Sequence, residues 1–170
     1  MRKIAIRYGL ILFLSLTVFF LLMDLFGLVE NVWLRLINGV FHIAILYLAI
    51  RNYKFDNPRT FGNYLSGIAT GMYTTVIGVI PFAVIVAIYF NINSGLLLAV
   101  QDHITLERFM NPANIGAFVF VEGIGVAVIG SYIITRIVNM QMLKGKTGQD
   151  RVNEYYSRDV YLSVEKDTSA

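Results

Sequence analysis

Four long apolar blocks, separated by short polar stretches, constrain this chain more than any other feature. They cover about residues 4–26, 31–50, 62–90 and 114–140. A helix needs about 20 predominantly apolar residues to cross a hydrocarbon core of roughly 30 Å, and each block reaches that length. A soluble fold of 170 residues would have to cover its core with charge, yet 56% of the residues are hydrophobic and 15% are charged. The mean hydropathy of +0.64 agrees. The expectation is an all-α membrane protein: a four-transmembrane-helix bundle over residues 1–142 and a soluble tail over 143–170.

The first block could be read as a signal peptide, because Arg2, Lys3 and Arg7 precede the apolar run from Tyr8 to Met23. That run is long for a signal sequence, and Leu22-Met23-Asp24-Leu25-Phe26 lacks the small residues of a cleavage site, so an uncleaved first span is expected. The third block exceeds the hydrocarbon thickness and contains Pro81, which predicts a tilt or a kink. The longest connection, residues 91–112, places Leu96–Val100 before a mixed run from Gln101 to Arg108. It reads as a short interfacial helix or as a plain loop.

Lysine and arginine set an orientation. Arg2, Lys3 and Arg7 lie at one end, Arg51, Lys54 and Arg59 between the second and third blocks, and Arg136, Lys144, Lys146, Arg151, Arg158 and Lys166 at the last end. The opposite side has only Arg35 and Arg108, beside Asp24, Glu30, Asp102 and Glu107. The positive-inside rule therefore places both termini and the middle loop in the cytoplasm.

The second block is not uniformly apolar. Asn31, Arg35, Asn38 and His42 fall at i, i+4, i+7 and i+11, on one narrow stripe of a helix. The fourth block carries Glu122, roughly two turns in from the outer edge. A lone ionised carboxylate there is costly and needs a partner or a proton. Arg35 and His42 bracket its depth, Asp24 is a second partner for Arg35, and a carbonyl freed by Pro81 falls at a similar level. Two readings follow. One is a buried Arg35–Glu122 salt bridge that holds helix register. The other is a proton- or ion-responsive site, or a small-molecule pocket open to the outside, built from Arg35, Asn38, His42 and Glu122. One carboxylate, one arginine and one histidine are just enough to neutralise themselves, which favours register.

Small residues mark helix contacts: Gly67 and Gly71 at GxxxG spacing, and Gly116, Gly123 and Gly130 seven apart. They predict packing within the chain in preference to a dimer face. Ser66, Thr70, Tyr73 and Thr74 share an adjacent face of the third block. They are expected to bond to neighbouring helices or to their own backbone, with a polar path toward Glu122 as the sharper alternative.

There is no cysteine, and His42 and His103 are the only histidines, so no metal site is expected. Gly123-Ile124-Gly125 continues no nucleotide-binding pattern, HExxH and GxSxG are absent, and no nucleophile and base can be paired. No cofactor and no enzymatic activity are expected. The basic residues are explained by topology and anionic lipid, without nucleic acid.

Several short motifs recur together: Arg35-Leu36-Ile37-Asn38, Asn63-Tyr64-Leu65-Ser66-Gly67 with Gly71, Asn111-Pro112, Glu122-Gly123, and Met140-Gln141-Met142. With them the membrane part resembles a family of small four-span proteins of Bacteroidota-type bacteria, a domain of unknown function. The resemblance implies an inner-membrane location and supplies no activity. The functional expectation is a non-enzymatic membrane module or accessory subunit, in contact with the bilayer and with a membrane-protein partner or a second copy. The alternative is a small proton- or ion-responsive transporter using the Glu122, Arg35 and His42 cluster.

Overall fold

The computed structural model describes residues 1–28, 32–93, 95, 97, 111–144, 153 and 157, with the side chains of 32–36 and 144 outside that description. Four long helices dominate it: α1 (Arg2–Leu25), α2 (Val32–Asp56), α3 (Tyr64–Ile92) and α4 (Pro112–Lys144). The described residues contain no strand. Three helices, α1, α3 and α4, are long and apolar enough to cross a membrane. The expected interfacial helix falls on the 91–112 connection and most of the tail lies past 144, both largely outside the described residues.

The turns follow from local chemistry. Helix α1 stops where Gly27 adopts φ +64°, a left-handed conformation that favours glycine. Leu28 N–H then donates to Met23 O and Gly27 N–H to Asp24 O, which satisfies carbonyls left over at the helix end. Between α2 and α3, Pro58–Thr60 forms a single 3-10 turn and Gly62 supplies a second left-handed residue. Asn63 caps α3 by accepting from Ser66 N–H at 3.3 Å. Lys54 closes this loop from within. It is fully buried, and its Nζ donates to Thr60 O at 2.5 Å and Asn63 O at 2.7 Å. Burial pulls its pKa down to about 8.

Helix α3 lies between α1 and α4, and α2 packs against α1 and α4 to complete the ring. Side chains join the same ends: Asn52 bonds to Tyr8, Tyr47 to Gln141 at 3.1 Å, and Asp24 to Tyr89. The start of α1 and the end of α4 therefore share one end of the bundle, the termini end. The α1–α2 turn lies at the far end.

Small residues set the spacing of α3. A Cβ on Gly71 would lie 1.8 Å from Ser131 Oγ, and one on Gly67 would lie 2.1 Å from Thr135 Oγ1. Toward the far end, a Cβ on Gly123 would lie 2.8 Å from Val79 Cγ1, and one on Gly116 would lie 2.8 Å from Ala83 O. These pairs run in opposite directions along α3 and α4 in one continuous antiparallel register. Gly130 is less confined, its nearest neighbour being Leu46 at 3.8 Å. Pro81 sits inside α3, which continues as a helix from Tyr64 to Ile92. Outward, the bundle exposes Leu10, Leu14 and Val18 on α1, Val84 and Ile88 on α3, and Val121 and Ile129 on α4. A belt of this kind is natural against lipid tails and costly against water.

Candidate functional site

Two apolar clusters fill the bundle. One, toward the far end, contains Leu12, Leu16, Phe20, Val79, Phe82, Val86 and Phe90. The other, toward the termini, contains Leu46, Ile50, Ala127, Ile134, Val138 and Met142. Within the first lies a cavity of about 130 Å³ walled by all four helices. Leu16, Phe20 and Met23 come from α1, and Val79, Phe82, Val86 and Phe90 from α3. Ile115, Val119, Glu122, Gly123 and Val126 come from α4. Asn38, Gly39 and His42 come from α2.

The space exists because of α2. At its level α2 carries Asn38 and Gly39, and a Cβ on Gly39 would meet nothing within 4 Å. Two to three turns further along, Leu46, Ala49 and Ile50 are fully buried and close the bundle. Aromatic rings make the firm wall. Phe20 packs edge-on against Phe82 at 6.2 Å and against Tyr89 at 5.2 Å, and tilts against Phe90 at 6.4 Å.

The polar lining is sparse and specific. His42 is buried at 4% exposure, and its Nε2 lies 2.9 Å from Thr75 Oγ1 on α3. Either group can be the donor, depending on the imidazole tautomer. Asn38 Oδ1 is buried and meets no hydrogen-bond partner among the described residues. Glu122 lines the same cavity, but its residue is exposed and not sealed inside the bundle. An apolar chamber with a few convergent polar atoms is the ordinary form of a small-molecule site.

Of the residues singled out in the sequence, Asn38, His42, Glu122 and Gly123 meet at this cavity. The side chain of Arg35 and all of Asn31 lie outside the described residues, and so does the expected Arg35–Glu122 pairing. Asp24, expected as a second partner for Arg35, accepts a hydrogen bond from Tyr89 Oη. Pro81 is not among the lining residues. Gly67 and Gly71 lie at the termini half of the α3–α4 seam. Ser66, Thr70 and Thr74 return their hydroxyls to Asn63 O, Ser66 O and Thr70 O, each at 2.8 Å, and so make no path of their own.

Sequence reasoning missed Thr75, Gly39 and the aromatic wall. Thr75 was legible as the neighbour of Thr74 on a helix that must face α2. Gly39 had no signal, because its role is to leave space. No group of three or more metal-ligating side chains occurs among the described residues.

The class defined by fold and cavity is an all-α protein with membrane-length helices around a small, mostly apolar chamber. No family model, curated protein or solved structure matches the chain.

Proposed function

We propose that this chain is a four-span protein of the bacterial inner membrane with both termini in the cytoplasm, acting as a non-enzymatic module that receives a small ligand in its outer half. Connectivity supports the fourth span. Helix α1 ends at the far end and α3 begins at the termini end, so α2 must bring the chain back. Its 25 residues rise about 37 Å, enough for a hydrocarbon core of roughly 30 Å. The lysine and arginine distribution supports placing the termini end in the cytoplasm. The far end, with the cavity, is then the outer half.

The observation that carries the ligand reading is the cavity with Asn38 Oδ1, His42 and Glu122 on an otherwise apolar lining. A chamber of about 130 Å³ is close in size to an engineered cavity of about 150 Å³ that binds benzene in another protein. Asn38 Oδ1 calls for a donor, so the fitting molecule is small, largely apolar and carries an N–H or O–H group. Phenol and indole are suitable probes. Either should raise the melting temperature of the purified protein in detergent, and Gly39→Leu, which fills the chamber, should abolish the shift. The reading fails if no such probe shifts the wild type, or if Gly39→Leu responds equally.

A second reading has its own observation. The His42–Thr75 hydrogen bond places an ionisable ring at the inner end of an outward cavity, which supports a proton-responsive role.

A further inference from the structure

The cavity leaves one set of buried polar side chains unexplained. Ser131, Thr135 and Asn139 follow one another at four-residue intervals along a single face of α4. Ser131 and Thr135 are fully buried and Asn139 is 6% exposed. Neither hydroxyl, and neither end of the Asn139 amide, meets a hydrogen-bond partner among the described residues. The hydroxyls of α3 behave differently, since Thr70 and Thr74 bond back to their own helix. Ser131 and Thr135 have the same option toward the carbonyls four residues back and do not take it. Their oxygens point across the seam at Gly71 and Gly67. Polar atoms without partners are expensive in a membrane interior and are kept there for function.

The row has a direction. Gly71, which faces Ser131, lies one turn from Thr75, and Thr75 holds His42 at the inner end of the cavity. From there the row descends through Ser131 and Thr135 to Asn139, at the termini end.

We propose that Ser131, Thr135 and Asn139 form the inward limb of a proton path, with the cavity as the outward limb and the His42–Thr75 hydrogen bond as the junction. This rests on the proton-responsive reading of the cavity. Four residues of helix rise about 6 Å, so a proton passes from link to link on one water admitted into the otherwise closed seam, over two hydrogen bonds of about 2.8 Å. A hydroxyl both donates and accepts, so Ser131 and Thr135 each take a proton on the oxygen and release their own without a change of net charge, while the Asn139 amide, which has no oxygen-bound proton, orders by its N–H and C=O the water that carries the proton past it. His42 takes a proton at one ring nitrogen from the cavity and releases one from the other to Thr75 Oγ1, and tautomer exchange resets the ring. The groups around His42 are Glu122 from α4, Thr75 from α3, Asn38 from its own helix, and apolar side chains from α1. Arg35 is the charged residue two turns away on α2.

The test uses the full-length protein in liposomes that enclose a pH-sensitive dye, with a potassium diffusion potential drawing protons inward. Wild type should take up protons faster than protein-free liposomes. Thr135→Val, which keeps the shape and removes the hydroxyl, should slow uptake by about tenfold, the worth of one hydrogen-bonded link, and Thr135→Ser should restore it. Should Thr135→Val not fold, Ser131→Ala replaces it with the same expectation. Indole binding to the cavity is measured on the same samples and should be unchanged by these variants. Uptake equal to protein-free liposomes, or equal in wild type and the hydroxyl-free variants, overturns the path and leaves the pocket standing wherever indole still binds. A path that conducts in a protein that binds no indole overturns the pocket and supports the path.

Discussion

The two halves of this bundle use the same helices and solve opposite problems. At the termini half, α3 presents Gly67 and Gly71, α4 presses Thr135 and Ser131 into them, and α2 closes the remaining space with Leu46 and Ile50. At the far half, α3 and α4 also approach closely, through Gly116 against Ala83 and Gly123 against Val79. There α2 offers Asn38 and Gly39 instead of large side chains, and a cavity remains. Close approach of two helices therefore does not decide whether a bundle is filled. The third wall decides it, and in this protein that wall is α2.

The comparison can be broken most sharply by exchanging the glycines. Gly71→Leu should abolish folding, because the added Cβ would lie 2.8 Å from the Ser131 Cβ and 3.3 Å from Ile50 Cδ1 before the rest of the side chain is placed. Overpacking of this kind costs about 3 kcal/mol or more. Gly39→Leu should fold and melt at or above the wild-type temperature, because it enters open space and improves helix propensity by about 1 kcal/mol. Thermal unfolding in detergent measures both. Equal destabilisation would mean that the far half is as full as the termini half.

Deleting side-chain volume should show the same contrast. Leu46→Ala empties a fully buried position and should cost about 2–5 kcal/mol. Leu16→Ala borders a space that already exists, so it should cost less and admit a larger aromatic probe than the wild type does. Probe size against melting shift would check this.

The junction between the halves gives a smaller effect. Thr75→Val removes the partner of a buried imidazole and should destabilise by about 1–3 kcal/mol. Thr75→Ser keeps the hydroxyl and should recover most of that loss.

Lys54 provides a pH test at the termini end. Its folded pKa of about 8 lies below the ordinary lysine value of 10.5. Between those values the unfolded chain holds a proton that the folded chain resists, so stability should rise with pH across that window and level off below it. Unfolding measured from pH 7 to 10.5 should show this slope in the wild type and lose it in Lys54→Met. The smallest effect belongs to Gly130→Ala, whose nearest neighbours at 3.8 and 4.0 Å leave room for a methyl. Its stability should stay within about 0.5 kcal/mol of wild type, read from thermal unfolding.

The sequence made some of this contrast legible before any packing was known. The stripe of Asn38 and His42 on α2 follows from spacing alone, and both reach the cavity. The same spacing on α4 marks Ser131, Thr135 and Asn139, but two small hydroxyls and one amide carry little signal beside the glycines of that helix. Lys54 misled in another way. Its charge counts toward topology, yet its ammonium is spent inside the molecule on two loop carbonyls. Which carbonyls a loop turns inward is not written in its residue types.

What the sequence determined by itself is the helical character of the chain, the approximate bounds of its blocks, the glycine positions at which helices can touch, and the polar groups that lipid will not tolerate. These depend on composition and on a period of 3.6 residues, both local properties. Only the tertiary structure decided that Asn38 and His42 face a space, that Thr75 is the partner of His42, and that Ser131 and Thr135 point at glycines instead of at their own helix. Those facts depend on which faces of separate helices meet and at what height. A cavity is a property of four surfaces at once, and no single helix encodes it.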